Sequence, residues 1–149
     1  MIKIFELLSV DRIKIIETTD KNKALEEICG LMSAAEAVKD TEELRKAIFD
    51  RENIISTSIG LGIAIPHVRL ESVTGMTIAV GVVKGGIDYK SFDDLPVHII
   101  IMIAAPEGAH REYLSVLAKI ALLLKNESLR NTIMDAESPQ EIYDALKGH

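Results

Sequence analysis

Three stretches of this chain are predominantly apolar and rich in β-branched side chains. They lie at residues 63–65, 76–83 and 97–104. Apolar runs without a clear helical period are typical of strands that are covered on both faces. A shorter run at residues 13–17 predicts one more strand. The pattern therefore predicts a central sheet that is buried on both sides.

Helical spacing fills the segments between these strands. Asp20 is a suitable N-cap for a helix whose apolar positions recur every three or four residues, at Ala24, Leu25, Ile28, Leu31 and Met32. A second amphipathic helix is predicted from Thr41 to about Asn53, which places Arg51 in its last turn.

The C-terminal part of the chain is predicted to be helical as well. A long helix follows residues 106–108, and Leu114 and Leu117 are expected on its apolar face. Ser138 and Pro139 begin a short final helix, because serine caps a helix and proline fits its first turn. Gly85-Gly86 is predicted to break the chain between two strands. Helices that alternate with strands over short connections indicate an α/β domain.

Composition and charge narrow the class of protein. A chain of 149 residues with 48% hydrophobic residues has enough apolar surface for one core, and predicts a single domain over residues 1–149. The net charge of -6 disfavours sequence-independent binding of nucleic acid, which needs a basic face. Cys29 is the only cysteine, which excludes an internal disulfide and fits a cytoplasmic protein. Neither a signal peptide nor membrane insertion is expected.

The stretch S-T-S-I-G-L-G-I-A-I-P-H, from Ser56 to His67, is the strongest candidate for chemistry. Pro66 stops an apolar strand and leaves His67 at its end, where an imidazole is accessible. Neutral histidine is abundant near pH 7 and can act as a nucleophile or base. Gly60 and Gly62 permit a positive φ or the close approach of a ligand or partner backbone. On this pattern alone, a histidine that merely ends a strand remains the alternative.

His110 is the second candidate, at the start of the long helix. It shares the apolar stripe of Leu114 and Leu117, which predicts that its ring faces the protein body. The unpaired N–H groups at a helix start favour a phosphate or carboxylate nearby. The alternative is a histidine that only packs at the helix end. Tyr113, one turn further on, could pack or donate a hydrogen bond in the same place.

Arg51 is the third candidate, because a guanidinium donates two parallel hydrogen bonds to phosphate oxygens. A cation at a helix C-terminus also offsets the helix dipole, which requires no ligand. His98 is expected to be an ordinary strand residue at a sheet edge or end, and His149 ends the chain. No nucleotide-binding loop occurs. No metal is expected, since no recognised ligand spacing joins His67, His98, His110 and Cys29.

Several segments form a longer pattern. Arg51-Glu52 precedes T-S-I-G-L-G-I-A-I-P-H-V, the segment I-D-Y-x-x-x-D-x-x-P-V begins at Ile87, Y-L-x-x-L-A-x-I-A begins at Tyr113, and S-P-Q-E-I-Y-D-A-L lies near the end. Together they resemble the IIA components of the bacterial phosphoenolpyruvate-dependent phosphotransferase system, of the fructose/mannitol type, which includes a nitrogen-regulatory branch. The resemblance spans nearly the whole chain. It implies the mannitol-IIA-like fold, in which helices flank a mixed central sheet.

The resemblance also implies a function. His67 would accept a phosphoryl group from the phosphorylated carrier protein HPr, Arg51 would hold the phosphoryl oxygens, and a second histidine on the long helix would assist. The group would then pass to a IIB component, or its presence would change which regulatory target binds. No metal, nucleotide or other cofactor is implied. The alternative is a regulatory module of the same fold that binds target proteins without phosphoryl transfer.

The chain departs from the family pattern at three positions. Ser58 replaces the first glycine of the motif and Val68 replaces the glycine after the histidine, which predicts a stiffer or differently shaped segment around His67. Tyr113 stands where the family has its second histidine. Because His110 lies one helical turn earlier on the same face, we expect it to take the supporting role.

Overall fold

The computed structural model of the chain describes residues 3–148, so Met1, Ile2 and His149 lie outside the described residues. The strands are β1 (Ile13–Ile16), β2 (Ser58–Gly60), β3 (Ile63–Ala64), β4 (His67–Leu70), β5 (Thr77–Ile87) and β6 (Val97–Pro106). The α-helices are α1 (Lys21–Leu31), α2 (Thr41–Ile54), α3 (His110–Leu123), α4 (Glu127–Asp135) and α5 (Pro139–Lys147). This mixed α/β architecture confirms the predicted fold class.

One mixed sheet contains all of these strands. Its order is β1-β5-β6-β3-β2, and β4 also pairs with β6. Strands β5 and β6 are antiparallel, whereas β1 is parallel to β5, and β3 and β4 are parallel to β6. The pairs Ile63–Ile99 and His67–Ile103 follow one register. Strands β3 and β4 therefore lie end to end along the same side of β6.

Two hydrophobic clusters cover the two faces of the sheet. Alternate residues of β6 enter one cluster or the other, and β5 and β6 are buried along most of their length. This confirms the prediction of strands covered on both faces. Helices α3, α4 and α5 supply the first cluster, with Val116, Ile120, Leu129, Ile133, Ile142 and Leu146. Helices α1 and α2 supply the second, with Ala24, Leu25, Ile28, Cys29, Leu44 and Ile48.

Side-chain caps begin several helices where the sequence predicts them. The Asp20 carboxylate accepts a hydrogen bond from the Lys23 N–H, and the Ser138 hydroxyl accepts one from the Glu141 N–H. Both predicted caps are thus confirmed, and Arg51 lies in the last turn of α2 as expected. No helix among residues 3–148 has the length and apolar character needed to cross a membrane.

Strand β5 does not break at Gly85-Gly86, so that prediction is wrong. The strand runs on to Ile87, and its pairing with β6 shifts register between Val82 and Ile87. Gly86 has a φ of +78°, a conformation that glycine adopts without steric cost. A glycine-containing irregularity of this kind bends a strand without ending it.

The C-terminal helices also differ from the prediction. The buried face of α3 runs through Tyr113, Val116 and Ile120, whereas Leu114 is 50% exposed. The prediction is therefore wrong for Leu114, whereas Leu117 packs in part against the first cluster. Helix α4 was not predicted at all, because only two buried residues, Leu129 and Ile133, mark its inner face.

The cluster beneath α1 and α2 contains two buried titratable groups, Cys29 and Tyr89. Burial raises the pKa of the Cys29 thiol to about 12, and it also raises the pKa of the Tyr89 hydroxyl. In an unfolded chain the thiol ionises near pH 8.5 and the phenol near pH 10. Above those values the unfolded state releases protons that the folded state keeps. The free energy of unfolding therefore falls with rising pH, by up to about 1.4 kcal/mol per pH unit for each group.

We expect urea titrations to show this loss of stability from about pH 8.5 upward and not below it. Cys29→Ala should flatten the first part of the decline, since the thiol is removed while the tyrosine remains. A Cys29→Ala protein that loses stability between about pH 8.5 and 10 as steeply as the wild type would contradict this account.

Candidate functional site

His67 is the first residue of β4 and is half-buried at the edge of the sheet. Ile65 and Pro66 separate β3 from β4. The Ile103 N–H donates a hydrogen bond of 2.9 Å to the Pro66 carbonyl, so β6 holds the chain across the gap. The sequence predicts that the strand ends before His67. The structure shows that pairing is interrupted at the proline and resumes at the histidine.

The imidazole of His67 has a defined orientation. Its Nδ1–H donates a hydrogen bond of 2.6 Å to the carbonyl oxygen of Ile65. A carbonyl can only accept, so in the neutral ring the proton is on Nδ1 and the lone pair is on Nε2. Nε2 is therefore the nitrogen that can act as a nucleophile.

The side chain of His67 lines a cleft of about 540 Å³ between α2, β4 and α3. Arg51 and His110 line the same cleft, so the structure brings the three predicted site residues together. His110 itself is exposed, and the prediction that its ring faces the protein body is wrong. The reason is that the buried face of α3 passes through Tyr113 rather than through Leu114.

Arg69 is a second arginine in the cleft, which sequence analysis did not identify. It lies two residues after His67 on β4 and so shares its side of the strand. Its Nη1 donates a hydrogen bond of 3.2 Å to the Glu107 carbonyl. The two-residue spacing from His67 is the signal that could have found it. The cleft thus has two arginines and two histidines against one acidic side chain, that of Glu107, which favours an anionic ligand.

Tyr113 packs directly against the His67 imidazole. The ring centroids of Tyr113 and His67 are 5.6 Å apart, and the ring planes are inclined by 53°. The guanidinium carbon of Arg69 lies 5.5 Å from the centroid of the tyrosine ring. Burial raises the pKa of Tyr113, while the charges of Arg51 and Arg69 act in the opposite direction. The phenol is therefore protonated near pH 7 and can donate a hydrogen bond.

Glu52 is buried beside Arg51 and connects α2 to the segment before β2. Its carboxylate accepts hydrogen bonds from the Thr57 N–H at 3.0 Å and from the Thr57 hydroxyl at 2.8 Å. Lys21 Nζ lies 3.2 Å from the same carboxylate. The Thr57 carbonyl in turn accepts a hydrogen bond of 3.0 Å from the Ile65 N–H. One series of hydrogen bonds thus runs from Glu52 through Thr57 and Ile65 to His67. Sequence analysis gave Glu52 no role beyond its place in the motif.

The turn between β2 and β3 has positive φ values at Gly60, Leu61 and Gly62, as predicted for the glycines. The close approach predicted at the two glycines is made by Phe92 and Pro96 of the same chain. A Cβ at Gly60 would lie 2.9 Å from the Phe92 ring, and one at Gly62 would lie 3.3 Å from the Pro96 carbonyl oxygen. Both glycines are buried beneath these residues. The expectation that they admit the backbone of a partner is therefore wrong.

The two replaced glycines of the motif are accommodated by specific contacts. The Ser58 hydroxyl lies 2.7 Å from the Ser91 hydroxyl, which ties β2 to the segment that covers the turn. Val68 is buried and packs in the cluster beneath α1 and α2. The Ser58–Ser91 hydrogen bond thus lies before the segment that leads to His67, and the packing of Val68 lies after it.

The remaining candidates lie away from the cleft. His98 is the second residue of β6, as expected for a residue at a strand end, and its Nδ1–H donates a hydrogen bond of 2.8 Å to the Val83 carbonyl. Cys29 is buried in α1. Within residues 3–148, no three His, Cys, Asp or Glu side chains are grouped in a way that could hold a metal ion.

The sequence of this chain matches a known protein family. The family model "Phosphoenolpyruvate-dependent sugar phosphotransferase system, EIIA 2" matches residues 6–149. The chain belongs to this family. Its members include both fructose-specific and nitrogen-regulatory proteins, which fits either a phosphocarrier or a regulatory role. The resemblance noted in the sequence is thereby confirmed.

Individual relatives show the same range. The chain is 40% identical over 148 residues to the PTS system fructose-specific EIIABC component of Bacillus subtilis, a match that covers 99% of this chain and 23% of that protein. The chain thus spans less than a quarter of that relative's length. The Nitrogen Regulatory Protein IIA-Ntr from Neisseria meningitidis has a TM-score of 0.87 at 30% identity, covering 96% of this chain and 98% of that one.

A third comparison concerns the fold alone. The Escherichia coli enzyme IIA of the mannitol system, whose structure was solved in complex with phosphorylated enzyme IIB, has a TM-score of 0.80 at 21% identity. The match covers 96% of this chain and 100% of that one. The mannitol-IIA-like fold implied by the sequence is therefore confirmed.

Proposed function

We propose that this phosphotransfer-family chain is a phosphocarrier that accepts a phosphoryl group on Nε2 of His67. The observation that carries the proposal is the state of this imidazole. Its Nδ1 is bonded to the Ile65 carbonyl, which leaves Nε2 free in a cleft that contains Arg51 and Arg69. A nucleophilic nitrogen beside two cations is the arrangement that phosphoryl transfer requires.

The donor in this proposal is a phosphohistidine on an HPr-like carrier protein. The Nε2 lone pair attacks phosphorus while the donor's P–N bond breaks, and the donor imidazole leaves with the electron pair of that bond. His67 keeps its proton on Nδ1, where it is hydrogen-bonded to the Ile65 carbonyl. The step consumes no water, metal or nucleotide. The transferring group is loose and carries its charge on three equatorial oxygens. Fixed hydrogen-bond donors therefore contribute most of the catalysis.

The charged groups of the cleft have distinct roles. Arg51 holds the phosphoryl oxygens from the end of α2, and Arg69 approaches them from β4. His110 lies in the first turn of α3, where it can support the phosphate when protonated. The first N–H groups of α3 contribute the positive end of the helix dipole on the same side.

Partner proteins dock, in this proposal, on an apolar surface beside the cleft. Ile54, Ile55 and Leu114 are 82%, 61% and 50% exposed, which is unusual for large apolar side chains close together. Ile55 and Ile59 also line a hollow of about 410 Å³ that adjoins His67 and Arg51. The HPr-like donor and a IIB acceptor would use this surface in turn, as suits a transient transfer interface. The complex formed by the Escherichia coli mannitol IIA protein supports a IIB acceptor for this fold.

The rest of the proposal follows from charge and family. Residues 1–149 act as one cytoplasmic domain, without nucleic acid or membrane insertion. A second candidate function is regulation, in which phosphorylation decides whether a target protein binds. The match to a nitrogen regulatory protein over nearly the full length of both chains favours this candidate specifically.

The test is reconstitution with phosphoenolpyruvate, enzyme I and HPr. The chain should gain a single acid-labile phosphate, which intact-mass measurement detects. The labelled chain is then mixed with the IIB proteins of its host. Discharge onto a IIB protein supports the sugar relay, and a stable label in the presence of all of them supports the regulatory function. A chain that gains no phosphate contradicts the proposal and favours binding without transfer.

A further inference from the structure

We propose that the hydroxyl of Tyr113 binds a phosphoryl oxygen on His67, so that a phenol joins Arg51 and Arg69 as a donor of the cleft. The proposal rests on the phosphocarrier function above. Sequence analysis named Tyr113 as a residue that could pack or donate a hydrogen bond beside His110, but it gave the supporting role to His110. The assignment depends on where the phenol lies, what its hydroxyl bonds, and which charges surround it.

The tyrosine ring is fixed against the nucleophile. Tyr113 is on the buried face of α3 and is only 7% exposed, so the core holds its ring in place. On one side the ring contacts the His67 imidazole, at a centroid distance of 5.6 Å, and it also contacts the Arg69 guanidinium at 5.5 Å. His110, in contrast, is exposed in the first turn of α3. Of the two residues, Tyr113 is the one whose position next to the imidazole is determined by packing.

The Tyr113 hydroxyl has no hydrogen-bond partner among the described residues. Among residues 3–148, no hydrogen bond of the structure uses the Tyr113 hydroxyl, although every fully buried side-chain nitrogen or oxygen there has a partner. The Tyr113 oxygen is therefore not sealed in the core. Tyr113 lines the same cleft as His67, Arg51 and Arg69, which is the accessible space that its hydroxyl can reach.

The surrounding charges favour a donor role. Burial keeps the pKa of Tyr113 above its usual value despite the charges of Arg51 and Arg69, so the hydroxyl is protonated near neutral pH. Arg69 lies against the tyrosine ring, with its guanidinium carbon 5.5 Å from the ring centroid, and Arg51 lines the same cleft. A tetrahedral phosphate accepts hydrogen bonds from several directions at once. Arg51 from α2, Arg69 from β4 and Tyr113 from α3 can each approach a different oxygen of a group bound to Nε2.

The experiment uses Tyr113→Phe, which removes one oxygen and keeps the ring that packs on His67. We expect single-turnover transfer from phosphorylated HPr to slow by about tenfold to a hundredfold, the usual effect of losing one hydrogen bond to a charged group. Tyr143→Phe is the matched control. Tyr143 lies on α5, packs in part against the first hydrophobic cluster, and does not line the cleft. This variant should transfer at the wild-type rate.

A second measurement does not depend on transfer. Inorganic phosphate is titrated into the wild-type protein and into Tyr113→Phe while the Hε1 resonance of His67 is followed by NMR. We expect the variant to bind phosphate about tenfold more weakly. If the wild type accepts no phosphoryl group from HPr, the proposed function fails, but the phosphate titration still tests Tyr113. Equal phosphate affinity in the two proteins, or equal transfer rates, overturns the role of the hydroxyl.

Discussion

Replacement of His67 by glutamine is expected to abolish phosphoryl acceptance altogether. Glutamine keeps a polar side chain of similar length but has no basic nitrogen, so the nucleophile is lost while the cleft keeps Arg51 and Arg69. The alternative acceptor in the cleft is His110, which lies in the exposed first turn of α3. The measurement is intact mass after incubation with phosphoenolpyruvate, enzyme I and HPr.

His98→Gln is a suitable control for this variant. His98 makes the same kind of bond as His67, from Nδ1–H to a backbone carbonyl, but it lies at the start of β6 and does not line the cleft. The His98 variant should gain the phosphate of the wild type. Labelling of His67→Gln, with the phosphate mapped to His110, would show that the wrong imidazole has been assigned.

Replacement of Glu52 by alanine is expected to cause the largest loss of stability, about 3 kcal/mol in the free energy of unfolding. The Glu52 carboxylate is 4% exposed and pairs with Lys21 while it accepts two hydrogen bonds from Thr57. Its removal leaves a buried N–H, a hydroxyl and an ammonium without their acceptor. Because Thr57 also anchors Ile65, phosphoryl acceptance by His67 should slow as well.

Two variants separate the causes of this loss. Glu52→Gln keeps one acceptor for Thr57 but removes the charge, so its loss of stability should be smaller. Asp50→Ala, two residues before Glu52 on the same helix, breaks the exposed Lys46–Asp50 pair and should cost no more than about 0.5 kcal/mol. Urea unfolding measures all three. A Glu52→Ala protein as stable as Asp50→Ala would show that the buried network contributes nothing.

The hydrophobic pattern and the sequence motif were sufficient to predict much of this structure. The strands around residues 78–82 and 99–103 are buried on both faces, so their continuous apolar sequence predicts a sheet that is covered on both sides. Asp20 and Ser138 cap helices through local bonds that the sequence specifies directly. Arg51 and His67 were identified by residue chemistry and by the family pattern, and His110 by its chemistry and its place on the helix. All three line one cleft.

The features that the sequence did not indicate depend on distant contacts. The orientation of α3 is set by how Tyr113 packs against His67 and the sheet, and no local pattern distinguishes that face from the one through Leu114. Glu52 acquires its role from Lys21 and Thr57, which approach it only in the folded chain. Arg69 resembles any exposed strand arginine until its neighbours are known.

Strand β6 anchors both halves of the interrupted strand that carries His67. The imidazole that we propose as the phosphoryl acceptor is therefore carried by the central sheet and not by a loop. Folding alone positions this imidazole, so its orientation does not depend on the binding of a partner protein. In the proposed transfer, the rate is therefore governed by how often the two proteins collide in a suitable orientation and by how their charges steer that collision.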